Sequence, residues 1–267
     1  MGKYKLKRVA IFHSLTAILC SLMILSTTES KAQQFNSDSW ISKEHGTITL
    51  IPTYGQRNMM LMNTYSLFPK WEFTMAAYLY RNDDDPLTDD GHSMSFYAKY
   101  MFYENKTRTG GAAVKAGTGM FPGTLNEENR TNDAFQTFWM NVPVTFPFLN
   151  NKLQWDLMPG ASFTSHSDSS KTSIGGFTYS TRVAWYPFND KGSLVGEVFG
   201  SEGGIKSKPE FKIGWRWEPN LYSVFAFTYG QEFNGSNGAG FEIGVMLFTP
   251  PFACLGGCNK VKKSKKI

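Results

Sequence analysis

Strict alternation of apolar and polar residues, repeated in about twelve segments of similar length, constrains this chain more than any other feature. Phe211, Ile213, Trp215 and Trp217 alternate with Glu210, Lys212, Gly214 and Arg216. Phe241, Ile243, Val245 and Leu247 alternate with Glu242, Gly244 and Met246. Successive side chains of a strand point to opposite sides, so each segment has one apolar and one polar wall. The pattern predicts strands over 46–54, 59–67, 71–80, 93–103, 112–120, 134–146, 152–163, 174–187, 193–201, 209–217, 221–230 and 239–249. Each is close to the roughly 9–11 residues that a tilted strand needs to cross a bilayer.

The connections alternate too. Pro69-Lys70, Phe148–Asn151, Asn189–Gly192 and Glu218–Asn220 are short, whereas Asn82–His92, Phe121–Asp133, His166–Thr172, Glu202–Lys208 and Gln231–Gly238 are longer and polar. Gly55–Asn58 is too short for its side and Glu104–Gly111 rather long. Short turns on one side and long loops on the other predict an all-β fold, a transmembrane antiparallel up-and-down β-barrel with its short side periplasmic. A soluble sandwich is the competing architecture, disfavoured by aromatic residues near strand ends. Trp71, Trp139, Trp155, Trp185, Trp217, Tyr80, Tyr103, Tyr186 and Tyr229 are expected in an interfacial girdle. Pro52, Pro143 and Pro159 lie inside predicted strands and require bulges or missing ladder bonds.

Charge excludes one class of partner. The formal net charge is +5, but five basic residues fall in 1–32 and five lysines in the last nine residues. Between these ends 17 basic residues face 21 acidic ones, so nucleic-acid binding, which needs clustered cations on a folded face, is not expected.

Residues 1–32 read as a signal peptide. A basic start from Lys3 to Arg8 precedes the apolar run Val9–Leu25, and Ser30-Lys31-Ala32 supplies small residues for cleavage before Gln33. The expected organisation is then 33–45 as an N-terminal periplasmic segment or plug, 46–252 as an outer-membrane barrel and 253–267 as a basic periplasmic tail. Cys254 and Cys258 are a possible disulfide in an oxidising compartment.

The segment Leu194-Val-Gly-Glu-Val-Phe-Gly-Ser-Glu-Gly-Gly is followed by Lys212-Ile-Gly-Trp-Arg-Trp-Glu-Pro-Asn-Leu-Tyr, then by Phe227-Thr-Tyr-Gly and Gly240-Phe-Glu-Ile-Gly-Val. These motifs resemble the MetA-pathway-of-phenol-degradation family, transporter-like outer-membrane barrels of Gram-negative bacteria. The resemblance covers about the last 75 residues and the rest only by architecture. It implies the outer membrane as location and passive movement of a small solute, hydrophobic molecules included. Such barrels commonly end on a terminal aromatic strand, whereas Pro250–Ile267 follows here. The Ser-Lys-Ala-Gln context is similar to that of Bacteroidetes exported proteins.

If the apolar wall of each strand faces lipid, the other wall places Glu72, Lys99, Lys115, Asp156, Arg182, Glu197, Lys212, Arg216 and Glu242 in the lumen. An ionised group on the lipid side costs about 2–4 kcal/mol at the midplane, which enforces the inward choice. Two roles stay open for these nine: a selectivity lining, or a mutually neutralising ion-pair network that fills the interior.

Other chemistry has less support. The loop Asn82–Gly91 holds five carboxylates but lacks the spacing of a helix-loop-helix calcium site, so no metal or other cofactor is expected. His92 and Ser93 should point to opposite faces, and His166 has no fixed nucleophile or oxyanion hole beside it, so no enzyme is expected. The partners expected are outer-membrane lipid and a small-molecule solute. The alternatives are a non-conducting structural or surface-interaction barrel and, third, a lipid-modifying enzyme.

Overall fold

The computed structural model describes residues 38–39, 44–80, 91–119, 137–164, 174–188, 191–203, 207–233 and 238–252. The signal segment, the Asn82–Gly91 acidic loop up to residue 90, His166, and the tail with Cys254 and Cys258 lie outside the described residues.

Among the described residues all regular structure is β. The strands are β1 (Thr47–Gly55), β2 (Asn58–Phe68), β3 (Trp71–Tyr80), β4 (Gly91–Glu104), β5 (Gly111–Gly119), β6 (Thr137–Asn141) and β7 (Val144–Phe148). They continue as β8 (Leu153–Leu157), β9 (Gly160–Thr164), β10 (Ile174–Trp185), β11 (Gly192–Gly203), β12 (Ser207–Asn220), β13 (Ser223–Glu232) and β14 (Gly240–Phe248). Every neighbouring pair is antiparallel, and β1 pairs with both β2 and β14, so the sheet closes on itself. No free edge remains, as hydrocarbon requires.

Fourteen strands make 12 barrel staves because prolines divide two of the expected long strands. Val142-Pro143 separates β6 from β7, and Met158-Pro159 separates β8 from β9. Proline has no amide hydrogen to give to a ladder, so the two breaks sit side by side and help each other: Val142 N donates to Pro159 O at 2.9 Å, and Ala113 N donates to Pro143 O at 2.9 Å. Glycine is needed at Gly160 beside the break, where a Cβ would lie 2.5 Å from Met140 O and 2.6 Å from Asn141 Cβ. Pro52 stays within β1, and the β1–β14 pairing skips Ile51 and Pro52 while the β1–β2 pairing runs through.

Side chains sort by parity. Leu61, Phe73, Met75, Leu79, Ile213, Phe227, Phe241 and Ile243 are exposed around the outside, while Thr74, Ser95, Thr178, Ser180 and Thr228 on the opposite parity are buried inside. Such an unbroken outer belt of large apolar residues needs hydrocarbon around it. Trp71, Trp155, Trp185 and Trp217 all face outward at the short-turn end, with the Trp71 ring 4.7 Å from that of Tyr100. The expected girdle is corrected at two positions. Trp139 is 3% exposed and Tyr186 4%, both turned inward, because Trp139 shares parity with Asn141 and Tyr186 with Arg182. The β11–β12 connection, expected to be long, is confined to 204–206.

Candidate functional site

Adjacent staves place the charged residues side by side on the inner wall. The nine expected lumen residues, Glu72, Lys99, Lys115, Asp156, Arg182, Glu197, Lys212, Arg216 and Glu242, are all buried. Register makes rows of them: Glu72 stands opposite Lys99 and Lys99 opposite Lys115, while Asp156 stands opposite Arg182, Arg182 opposite Glu197 and Glu197 opposite Lys212. Directly opposed residues on one face have Cβ atoms roughly 4.5–5.5 Å apart, so alternating signs along a row stabilise it.

Only one step in these rows opposes like charges. Lys99 faces Lys115, and Asp38 from the N-terminal segment sits between them. Lys99 Nζ lies 3.1 Å from Asp38 Oδ1 and 2.6 Å from Glu72 Oε2, and Lys115 Nζ lies 3.4 Å from Asp38 Oδ2. Lys99 also donates to Ser39 O at 3.5 Å. Burial would raise the Asp38 carboxyl, but the ammonium groups of Lys99 and Lys115 outweigh it and hold the group below its ordinary value. Lys115 Nζ rests 4.4 Å from the Tyr97 ring centroid and 5.6 Å from that of Trp139, a cation–π contact deep in the interior.

The second set centres on Asp156. Arg182 Nε and Nη2 both donate to Asp156 Oδ2, at 2.9 and 2.6 Å, and Thr145 Oγ1 donates to Asp156 Oδ1. Toward the long-connection end, Lys212 Nζ lies 2.7 Å from Glu242 Oε2, while Asn58 and Thr228 donate to the same carboxylate. Ser180 Oγ donates to Glu197 Oε1 at 3.4 Å, and Arg216 Nε lies 3.0 Å from Glu218 Oε1.

Three lumen carboxylates were not among the nine: Asp38, Glu210 and Glu232 are 4%, 3% and 6% exposed. Alternation does mark Glu210, which shares parity with Lys212. Glu232 lies just past the expected end of its strand, and Asp38 belongs to no strand, so no periodicity could assign it a face.

The interior is not uniformly polar. Ile51, Val224, Met246 and Phe248 pack together on the inward parity of β1, β13 and β14, with Met60 and Met62 of β2 against them. Tyr97, Trp139 and Met158 continue this apolar surface through Met62. Opposite lies a wall of small polar groups. Asn141 Nδ2 and Oδ1, Ser162 Oγ and Thr178 Oγ1 are buried with no hydrogen-bond partner, and Ser193 Oγ is buried beside Tyr186. Asn141 stands opposite Gly160 and Gly160 opposite Thr178, so the first three of these residues are neighbours.

This closed barrel with a lined interior is similar to solved membrane proteins. An outer membrane channel from Pseudomonas putida F1 superposes with a TM-score of 0.52 at 13% identity, over 78% of this chain and 97% of that one. The fold is that of the outer-membrane β-barrels. The KdgM porin superposes with a TM-score of 0.52 at 8% identity, over 75% of this chain and 98% of that one. No protein-family model and no curated protein matches the sequence.

Proposed function

We propose that this outer-membrane barrel is a channel for the passive movement of a small solute. One observation carries the reading: neighbouring inward-facing polar groups at Asn141, Ser162 and Thr178 are buried without protein partners. A barrel whose interior serves only as a packed core satisfies such groups among themselves, because each one left unmade costs about 1–3 kcal/mol. These atoms are shut off from solvent as the wall packs here, so they call for an enclosed water or for a shift of the wall that opens them to a solute. Fold likeness to a channel and a porin agrees with this reading, and the Leu194–Gly204 and Lys212–Tyr222 motifs support kinship with the MetA-pathway family.

The nine lumen residues then divide by role. Glu72, Lys99, Lys115, Asp156 and Arg182 hold the wall together, Arg216 pairs with Glu218 at the short-turn end, and Lys212 and Glu242, with Glu197 standing between Arg182 and Lys212, line the path toward the long-connection end. We read the protein as non-enzymatic: His92 is exposed outward and Ser93 buried inward on β4, so the pair cannot act together. A second reading, a closed structural barrel, draws on the balanced pairs around Asp38. Liposome swelling separates the two. Folded protein, verified by heat-modifiable migration, should admit small uncharged and amphipathic solutes, and a verified barrel that admits none supports the structural reading instead.

A further inference from the structure

The barrel wall opposes two ammonium groups that strand pairing alone leaves unbalanced. Lys99 of β4 and Lys115 of β5 are register partners, both buried on the inward face. Like charges directly opposed across a strand pair destabilise the sheet, and burial strengthens the repulsion. Glu72 is the wall carboxylate that acts on both, and it sits against Lys99 at 2.6 Å. Two lysines against one carboxylate leave the wall here with a positive charge in excess. Arg182, the other cation acting on Asp38, is taken up by Asp156. Among the described residues, Asp38 is the one carboxylate within ion-pair distance of Lys115, whose ammonium otherwise rests against the Tyr97 and Trp139 rings. Asn141, next along the row opposite Lys115, is buried with neither side-chain nitrogen nor oxygen partnered.

The balancing charge therefore comes from outside the wall. Asp38 lies in no strand, yet its Oδ1 stands 3.1 Å from Lys99 and its Oδ2 3.4 Å from Lys115. One planar carboxylate bridges the two ammonium groups with one oxygen to each, which a single-point anion such as chloride does less well. Strand register fixes the lysine half of this contact, whereas the acid half is carried on a segment that the barrel ladder does not hold. Both contacts of Asp38 are also longer than the 2.6 Å pair that Lys99 makes within the wall.

Building on the channel reading, which brings a solute to this depth, we propose that Lys99 and Lys115 form a receptor for solute carboxylates. Asp38 is its resident occupant, and an entering carboxylate exchanges with it. A tethered group competes at an effective concentration on the order of millimolar, so exchange in the wild type requires carboxylate above that level. Loss of Asp38 removes the competitor.

The test reads the heat-modification midpoint of the full-length folded barrel with sodium propionate, sodium chloride or propylammonium chloride, each added either during folding or afterwards. Propionate should raise the midpoint of Asp38→Ala and return most of what that substitution costs, because a ligand that binds only the folded state stabilises it. The wild type should need a propionate concentration about tenfold higher for the same rise. Asp38→Ala/Lys115→Met should respond to none of the three salts, and chloride and propylammonium should move none of the proteins. An Asp38→Ala midpoint that propionate leaves in place, or that chloride raises equally, overturns the receptor. A wild type unmoved at a roughly hundredfold excess over the concentration that restores Asp38→Ala makes Asp38 a fixed counterion and overturns the exchange. Shifts seen only with propionate present during folding uphold the receptor and count against the channel reading. Should Asp38→Ala fail to show heat-modifiable migration, Asp38→Ser takes its place.

Discussion

Two charged regions of the same lumen are built on opposite principles. Toward the short-turn end, Glu72, Asp38 and Asp156 match Lys99, Lys115 and Arg182 one for one, each within direct ion-pair distance of a partner. Toward the long-connection end, Glu210 and Glu232 face each other, and Lys212 is held by Glu242. The first region has what a buried ionic network needs, with every charge compensated by another. The second sets two buried carboxylates against each other and leaves Glu210 Oε2 without a hydrogen-bond partner. Removing an acid should therefore have opposite consequences in the two regions.

The largest effect is expected at the Asp156–Arg182 pair. Arg182→Met leaves a buried carboxylate with only Thr145 to support it, and should lower the unfolding free energy by about 3–5 kcal/mol in urea titrations of the refolded barrel. Replacing both residues by apolar ones should recover most of that loss. Next comes Ile213→Lys on the lipid wall, where Ile213 is 54% exposed; it should cost about 2–4 kcal/mol in bilayers.

Asp38→Asn should cost about 1–3 kcal/mol, because Lys99 and Lys115 then face each other without their shared counterion. This loss has a defined pH dependence. The folded-state value of Asp38 lies below the ordinary 3.8, so its stabilisation is complete above 3.8 and disappears as pH falls through the lower folded value. The urea midpoints of wild type and Asp38→Asn should differ fully near neutral pH and converge in strong acid. The smallest effect, and the one of opposite sign, is Glu210→Gln: stability should stay level or rise by up to about 1 kcal/mol. A loss of several kcal/mol there would mean the two regions do not differ.

Much of this architecture is legible in the sequence, for a simple physical reason. A strand has a period of two, so alternation fixes which face each residue takes as soon as one face must meet lipid. All 12 expected strand segments coincide with staves, and Pro143 and Pro159 mark where two of them divide. Parity also brings Glu72, Lys99, Lys115, Asp156 and Arg182 to one wall. Other features depend on contacts between distant segments, which periodicity cannot report. Asp38 gains its role from the register that opposes Lys99 to Lys115. Trp139 has the composition of a girdle residue, but the parity it shares with Asn141 puts it beneath Lys115. The apolar inner patch escaped notice because Ile51, Val224 and Met246 each read as an interruption in a polar wall, and only barrel closure makes them one surface.

The most direct test of the central claim, a lumen that passes solute, is the current carried by the folded wild-type barrel in a planar bilayer. Discrete conductance steps from heat-modifiable protein are the predicted result. A verified, folded barrel that inserts and carries no current would contradict it.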